Sequence, residues 1–283
     1  MHSYSFLEHL MFPRTSLNQQ KLKQELKGKT VLITGASSGI GEQLAYMLAD
    51  IKVHLILVAR REEKLLSMKR KIEMKEATVR VVSADLRNKE DTERVLAFLN
   101  LLPVGLDIFI SNAGHSIRRP ILQSLDRYHD FTRTMAINYF APVELILSLQ
   151  PLLESNQGHI INISTVNTLL YPFPHWAAYQ SSKAAFDVWL RSAAPELNNS
   201  GISTTSIYLP LVRTPMIVPT VSYEKSAAMS PQHAAEIICK CIYMKKKTYK
   251  PWWLIFGQLA SILFSRWWEY SIPIMIKKKG DKK

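Results

Sequence analysis

Six short apolar runs recur along the chain, separated by stretches in which apolar residues return every three or four positions. The runs are Thr30–Thr34, Val53–Val58, Thr78–Ser83, Leu106–Ile110, His159–Ser164 and Ile202–Leu209. Such near-continuous hydrophobicity predicts strands buried on both faces. Helical patterns lie between them: Leu44, Ala45 and Leu48, then residues 61–75, then about Leu125 to Glu154, then a helix through Tyr179. Strand and helix alternate without an internal repeat. The prediction is an α/β protein with a parallel sheet and helices on both faces.

Both ends depart from this rhythm. Residues 1–28 read as an N-terminal arm. Its apolar patch (Phe6, Leu7, Leu10, Met11, Phe12) is interrupted by Glu8 and His9, and a polar, Lys-rich linker or frayed helix follows at 14–29. Residues 251–283 read as a helical extension. Between Pro251 and Ile276 the polar residues Gln258, Ser261, Ser265 and Glu269 form one narrow stripe on a mostly apolar helix. Trp252, Trp253, Trp267 and Trp268 flank the stripe, and Lys277–Lys279 follow. A membrane span needs about 20 apolar residues with few charges; Arg266, Glu269 and Pro273 count against one. The expectation is an interfacial helix with a polybasic tail. A helix folded over the substrate pocket, a dimer contact and a true span are the alternatives.

Charge sharpens that reading. The formal net charge is +13, and residues 245–283 hold ten Lys/Arg against two acids, so eight of the surplus charges sit in this stretch. They predict an anionic surface as partner, peripheral on the membrane, and no nucleic acid. With 47% hydrophobic residues the chain can bury a full core. Its two cysteines, Cys239 and Cys241, build neither a disulfide framework nor a zinc set. They are expected in the core, and a reduced, cytoplasmic setting fits.

The candidate chemistry sits at the ends of the strands. The first run leads into Gly35-Ala-Ser-Ser-Gly39-Ile-Gly41 and then a helix, an arrangement that cradles phosphate on free backbone N–H groups. A plain glycine turn is the alternative. Arg60 follows the second run with no acid before Glu62, which favours a 2′-phosphate and so NADP(H) over NAD(H). Asp85 is placed to accept from an adenine amino group or to cap the next helix. Asn112, Ala113 and Gly114 are small enough to let a loop approach a cofactor. His115 is expected to be a loop residue rather than a base. Tyr179 and Lys183, four apart on a helix, share one face. An ammonium there would lower the phenol pKa from about 10 and suit the phenol to proton transfer. Pro142, which has no N–H, is predicted to leave the Asn138 carbonyl without its helical partner and to kink the helix locally.

With TGASSGIG, SNAG, Asn138, a Ser/Thr strand end and YxxxK in this order, the chain resembles the short-chain dehydrogenase/reductase family from about Lys29 to Met244. The resemblance implies a Rossmann-like, doubly wound parallel sheet in a single domain over 29–250, a nicotinamide cofactor, and hydride transfer at a carbonyl carbon. It makes Tyr179 the proton donor. It gives Lys183 to the nicotinamide ribose and to lowering the Tyr pKa, a strand-end hydroxyl to the substrate oxygen, and Asn138 to a proton-relay water. Cofactor contacts are implied for Gly35, Ser37, Ser38, Gly39, Ile40, Gly41, Arg60, Asp85, Leu86, Asn112, Ala113, Gly114, Tyr179, Lys183, Val212 and Thr214. A homodimer or homotetramer through the two long helices is implied as well.

Ser124-Leu-Asp-Arg-Tyr-His-Asp-Phe131, the run Tyr208–Thr220 and Ser230-Pro231 are similar to the bacterial fatty acyl-CoA reductase branch. That implies NADPH and a long-chain acyl thioester or aldehyde. A ketone, keto-lipid or hydroxysteroid-type oxidoreductase is the alternative enzyme, and a non-catalytic nucleotide-binding protein the alternative of another class. Several positions depart from the family. Its serine usually lies thirteen residues before the tyrosine, where this chain has Val166. Aligned from the strand side Thr165 takes that place, with Ser164 as the fallback. The loop Asn167–Trp176 is one residue longer, Pro210-Leu211 replaces the usual Pro-Gly, and Pro195 is expected to kink or shorten the Tyr179 helix.

Overall fold

The computed structural model describes residues 4–102, 105–220, 223 and 226–280. Seven strands form one parallel sheet: β1 Thr30–Thr34, β2 His54–Ala59, β3 Thr78–Ser83, β4 Ile108–Ser111, β5 His159–Thr165, β6 Ser203–Leu209 and β7 Thr248–Tyr249. Their order is β3-β2-β1-β4-β5-β6-β7. The first six follow the predicted runs within a residue or two. The two-residue β7 has no hydrophobic run to announce it.

Side chains alternate across the sheet and divide the core in two. Val31 and Ile33 face one cluster, which α2 (Gln19–Leu26), α3 (Gly39–Leu48), α4 (Glu62–Ile72) and α9 (Pro231–Met244) complete. Leu32 faces the other, built with α5 (Lys89–Asn100), α7 (Ala141–Ser155) and α8 (Ala177–Asn199). Cys239 and Cys241 lie buried on α9 as expected. The strand order reverses between β2-β1 and β1-β4. Loops leaving the C-terminal ends of β1 and β4 therefore diverge and open a crevice.

The predicted helix near 125–154 runs from α6 (Tyr128–Met135) through a π-helical turn, Ala136–Phe140, into α7. Within the turn the Ala141 N–H donates to the Ala136 carbonyl, five residues back. The expected irregularity ahead of Pro142 thus takes the form of one widened turn. The whole segment is long and apolar enough to cross a membrane by length and composition. Here it packs against α5 and α8.

Three expectations change. Of the linker or frayed helix expected at 14–29, the helix is present and not frayed: α2 is capped by Asn18 and buries Leu22 and Leu26 completely. Pro195 does not end α8, which continues to Asn199. The N–H that Pro195 lacks would have bonded Arg191, and this part of the helix is largely exposed to water. The C-terminal stretch is not one helix. It breaks at Phe264 into α10 (Leu254–Leu263) and α11 (Ser265–Gly280).

Candidate active site

The crevice at the strand ends is a cleft of about 840 Å³. Of the catalytic and cofactor-binding residues expected from the sequence, all but Gly41 and Asn138 border it. Gly35 and Gly39 adopt φ of +66° and +59°, a region open to glycine. A Cβ on Gly41 would lie 2.6 Å from the Gly35 carbonyl oxygen and 2.8 Å from Asn112 Nδ2. Gly41 therefore lets α3 close onto the turn without itself facing the cleft. Asn112 Nδ2 donates to the Thr34 and Gly35 carbonyls and joins the two loops.

Arginines surround this end of the cleft. Arg60 is mostly exposed, with its guanidinium 4.0 Å from Asp85. Arg61, which sequence reasoning passed over, donates to the Ser37 carbonyl at 2.9 Å and to its hydroxyl. Asp85 is held by Arg87, whose hydrogen bonds and charge keep the carboxyl below its usual range against the opposing effect of burial. It does not cap α5; Asn88 does, accepting from the Glu90 N–H. A glycine cradle that a Cβ would fill, beside exposed and paired guanidiniums, fits a dinucleotide with an anionic ribose.

At the other end β5 and α8 bring Thr165, Tyr179 and Lys183 together. The Thr165 hydroxyl, which accepts from the Asn167 N–H, acts on the Tyr179 phenol and lowers its pKa against the larger effect of burial. Ser164 Oγ also lies in the cleft wall, buried and without a hydrogen-bond partner. Of the two hydroxyls, that of Thr165 is the one that acts on the Tyr179 phenol. Lys183 Nζ donates to the Ile163 carbonyl at 3.1 Å. Burial pulls the Lys183 ammonium down to about 8 and pushes the Tyr179 phenol up to about 12. The phenol shift is opposite to the expected one. Removing water from the phenolate outweighs the lowering by the Thr165 hydroxyl.

Asn138 stands one layer behind. Its Oδ1 accepts from the His115 N–H, and its Nδ2 donates to the His115 carbonyl and to Ser182 Oγ, each at 2.9 Å. Its side chain thus ties the loop after β4 to α8. His115 borders the cleft with its pKa lowered, first by burial and then by nearby arginines.

The substrate end is aromatic. Trp176 packs edge-on to Tyr179 and stacks on Tyr223, with Phe173 and Met216 on the same wall. The loop 167–173 is held by Gln180, which accepts from the Phe173 N–H and donates to the Asn167 carbonyl. Trp176, Tyr223 and Gln180 were missed; Trp176 and Gln180 flank Tyr179 in sequence, and only that adjacency signals them. Beside this wall Arg118 borders the cleft and contacts His175. Next to it, Arg119, Arg127 and Arg133 converge on the buried Asp130.

The short chain dehydrogenase family model matches residues 29–225. The chain belongs to this family. A protein of Acinetobacter baylyi named fatty acyl-CoA reductase is 40% identical over 244 residues, covering 86% of this chain and 81% of that one. A Mycobacterium tuberculosis protein of the same name is 38% identical over 226 residues, covering 79% of this chain and 77% of that one. A short-chain dehydrogenase from Sphingobium yanoikuyae, solved in complex with NADPH, superposes with a TM-score of 0.74 at 24% identity, over 86% of this chain and 95% of that one. At that identity the likeness is one of fold.

Proposed function

We propose that this protein is an NADPH-dependent reductase of long-chain fatty acyl-CoA, releasing the aldehyde and CoA. The observation that carries the reading is an aromatic wall at one end of the cleft with Arg118 beside it and the Asp130 arginine cluster next in the chain. The wall of Phe173, Trp176 and Tyr223 suits an alkyl chain. Around Asp130 three guanidiniums face one carboxylate, leaving positive charge beside Arg118 for an anionic CoA. A ketone or sterol has no such anion. The names of the two bacterial relatives point the same way.

The glycine turn, Asn112–Gly114, Val212 and Thr214 would hold the cofactor, with Arg60 nearest a 2′-phosphate. Bound there, NADPH supplies the hydride. Thr165 positions the carbonyl oxygen and Tyr179 donates a proton to it. With a pKa near 12 the phenol keeps that proton at neutral pH. Lys183, buried on the same helix face, supports both. The resulting hemithioacetal collapses, breaking the carbon–sulfur bond and giving thiol and aldehyde. By the family resemblance the working unit is a homodimer or homotetramer. Exposed Leu147 on α7 and Val188 on α8 would be covered in it.

The test follows NADPH oxidation with long-chain acyl-CoAs, aldehydes and ketones in parallel. Acyl-CoA turnover with stoichiometric free thiol is expected. Turnover of ketones alone would replace the reading with the hydroxysteroid type, and cofactor binding without any turnover would leave a nucleotide-binding protein.

A further inference from the structure

The C-terminal helix α10 is inside out for a protein surrounded by water. Its small and polar residues face the protein. The Tyr171 N–H donates to Ser261 Oγ at 3.0 Å, and a Cβ on Gly257 would lie 2.9 Å from Leu170 Cδ2. Ile255, Phe256, Leu259, Ile262 and Leu263 are left 50–73% exposed. A surface helix of a soluble protein buries its apolar stripe instead. α1 (Phe6–Met11) repeats the inversion: Glu8 is buried, while Phe6, Leu7 and Leu10 are exposed.

These two helices, from opposite ends of the chain, are joined. The Trp252 indole donates to the Leu10 carbonyl at 3.0 Å, and the Trp253 indole to the Met11 carbonyl at 3.2 Å. Phe264, Trp267 and Tyr270 add exposed apolar side chains beyond α10. Apolar residues scattered singly over a surface are ordinary; a joined group of this extent marks a contact face. Arg266 is exposed between Phe264 and Trp267, and Lys250 is exposed two residues before Trp252.

We infer that the joined face of α1 and α10 docks on an anionic lipid bilayer, its apolar side chains among the acyl chains and its basic residues at the headgroups. Charge selects this occupant. A second copy brought up by two-fold symmetry would set like charges against each other, whereas anionic headgroups complement them. Length selects docking over spanning. The ten residues of α10 reach about 15 Å, half the hydrocarbon thickness, before the break at Phe264.

The face is also fastened to both sides of the cleft. Ser261 holds Tyr171, two residues from the cleft-lining Phe173. Glu8 pairs with Arg213, which lies between the cleft-lining Val212 and Thr214. Docking would set the mouth of the cleft against the membrane, where a long-chain substrate resides; that consequence rests on the acyl-CoA reading, and the docking itself does not.

The experiment is flotation of the full chain with vesicles of phosphatidylcholine alone and with phosphatidylglycerol added, alongside sedimentation. The protein is expected to float with the anionic vesicles, less so at high salt. Leu7→Asp and Ile262→Asp should each weaken binding at least about tenfold, since each removes an inserted apolar side chain. Both positions are exposed, so the melting temperature and NADPH binding should stay unchanged. Failure of the wild type to float, or undiminished binding by both variants, would overturn the inference. So would a dimer that Ile262→Asp dissociates, which would assign the face to a second copy. Flotation is read without substrate, so a failed reductase assay leaves this result standing.

Discussion

Thr165 and Ser164 differ in what their hydroxyls meet: that of Thr165 accepts from the Asn167 N–H and acts on the Tyr179 phenol, while Ser164 Oγ has no partner. Thr165→Val should therefore lower kcat by at least about 100-fold, the range for a lost general-acid arrangement, while Ser164→Ala changes it little. Tyr179→Phe should match the first loss and retain NADPH. The reverse ranking of Thr165 and Ser164 would return the role to the serine. Arg60 and Arg61 separate in the same manner. Arg60→Ala should weaken NADPH by about 10- to 100-fold with little effect on NADH, because a charge-assisted hydrogen bond contributes roughly 1.5–3 kcal/mol. Arg61→Ala should weaken both, since it supports the Ser37 turn. Equal losses from Arg60→Ala would make it structural. Lys183 carries a pH signature. Its folded pKa near 8 lies below the unfolded value, so its burial costs stability at neutral pH. That cost is relieved as pH rises from about 8 toward about 10.4. Lys183→Met should then raise Tm at pH 7 by about 5 °C, with the gap closing above pH 10, even as activity is lost. A gap independent of pH would mean that Lys183 is not desolvated in the folded protein.

Among the elements, α1 shows how a polar residue can be the anchor of an apolar helix. Burial alone would raise the Glu8 carboxyl pKa, but the N–H groups of Ser5 and Ala228 and the Arg213 charge hold it lower. Glu8→Ala strands those donors and should cost about 1.5–3 kcal/mol. Because the folded pKa is depressed, the Glu8 contribution is present above the unfolded value and is lost as pH falls through the folded one. Thermal melts of the variant and wild type should therefore diverge at neutral pH and converge in acid; coincident melts at pH 7 would mean the pair contributes nothing. The π-helical turn ahead of Pro142 is a second local device. It shifts the register of the helix that carries Asn138 toward His115 and Ser182. Pro142 was readable as a break in the hydrogen-bond ladder, but a missing N–H does not say whether the chain kinks or widens.

For the whole molecule, association is the open consequence of the surface. Leu147 and Val188 are exposed on α7 and α8. Leu147→Glu should convert a dimer to monomers in sedimentation, and a monomeric wild type would refute that contact. The alternation of apolar runs and helical patterns was enough to predict six strands, the parallel sheet and the glycine cradle, because strand and helix periods are local properties of the chain. The motif residues around Tyr179 were legible for the same reason: a spacing of four fixes a shared helix face. Tertiary structure alone decided the rest. Which of two adjacent hydroxyls meets Tyr179 depends on how β5 lies against α8. The direction of the Tyr179 pKa shift depends on burial, which no spacing reports. Trp176 and Tyr223 stack across 47 positions of sequence, and Glu8 finds Arg213 across 205. The amphipathic stripe of α10 is visible in its residues, but the side that faces the protein is set by Tyr171 and Leu170. Only folding, which brings distant segments into contact and strips water from their polar groups, settles such matters.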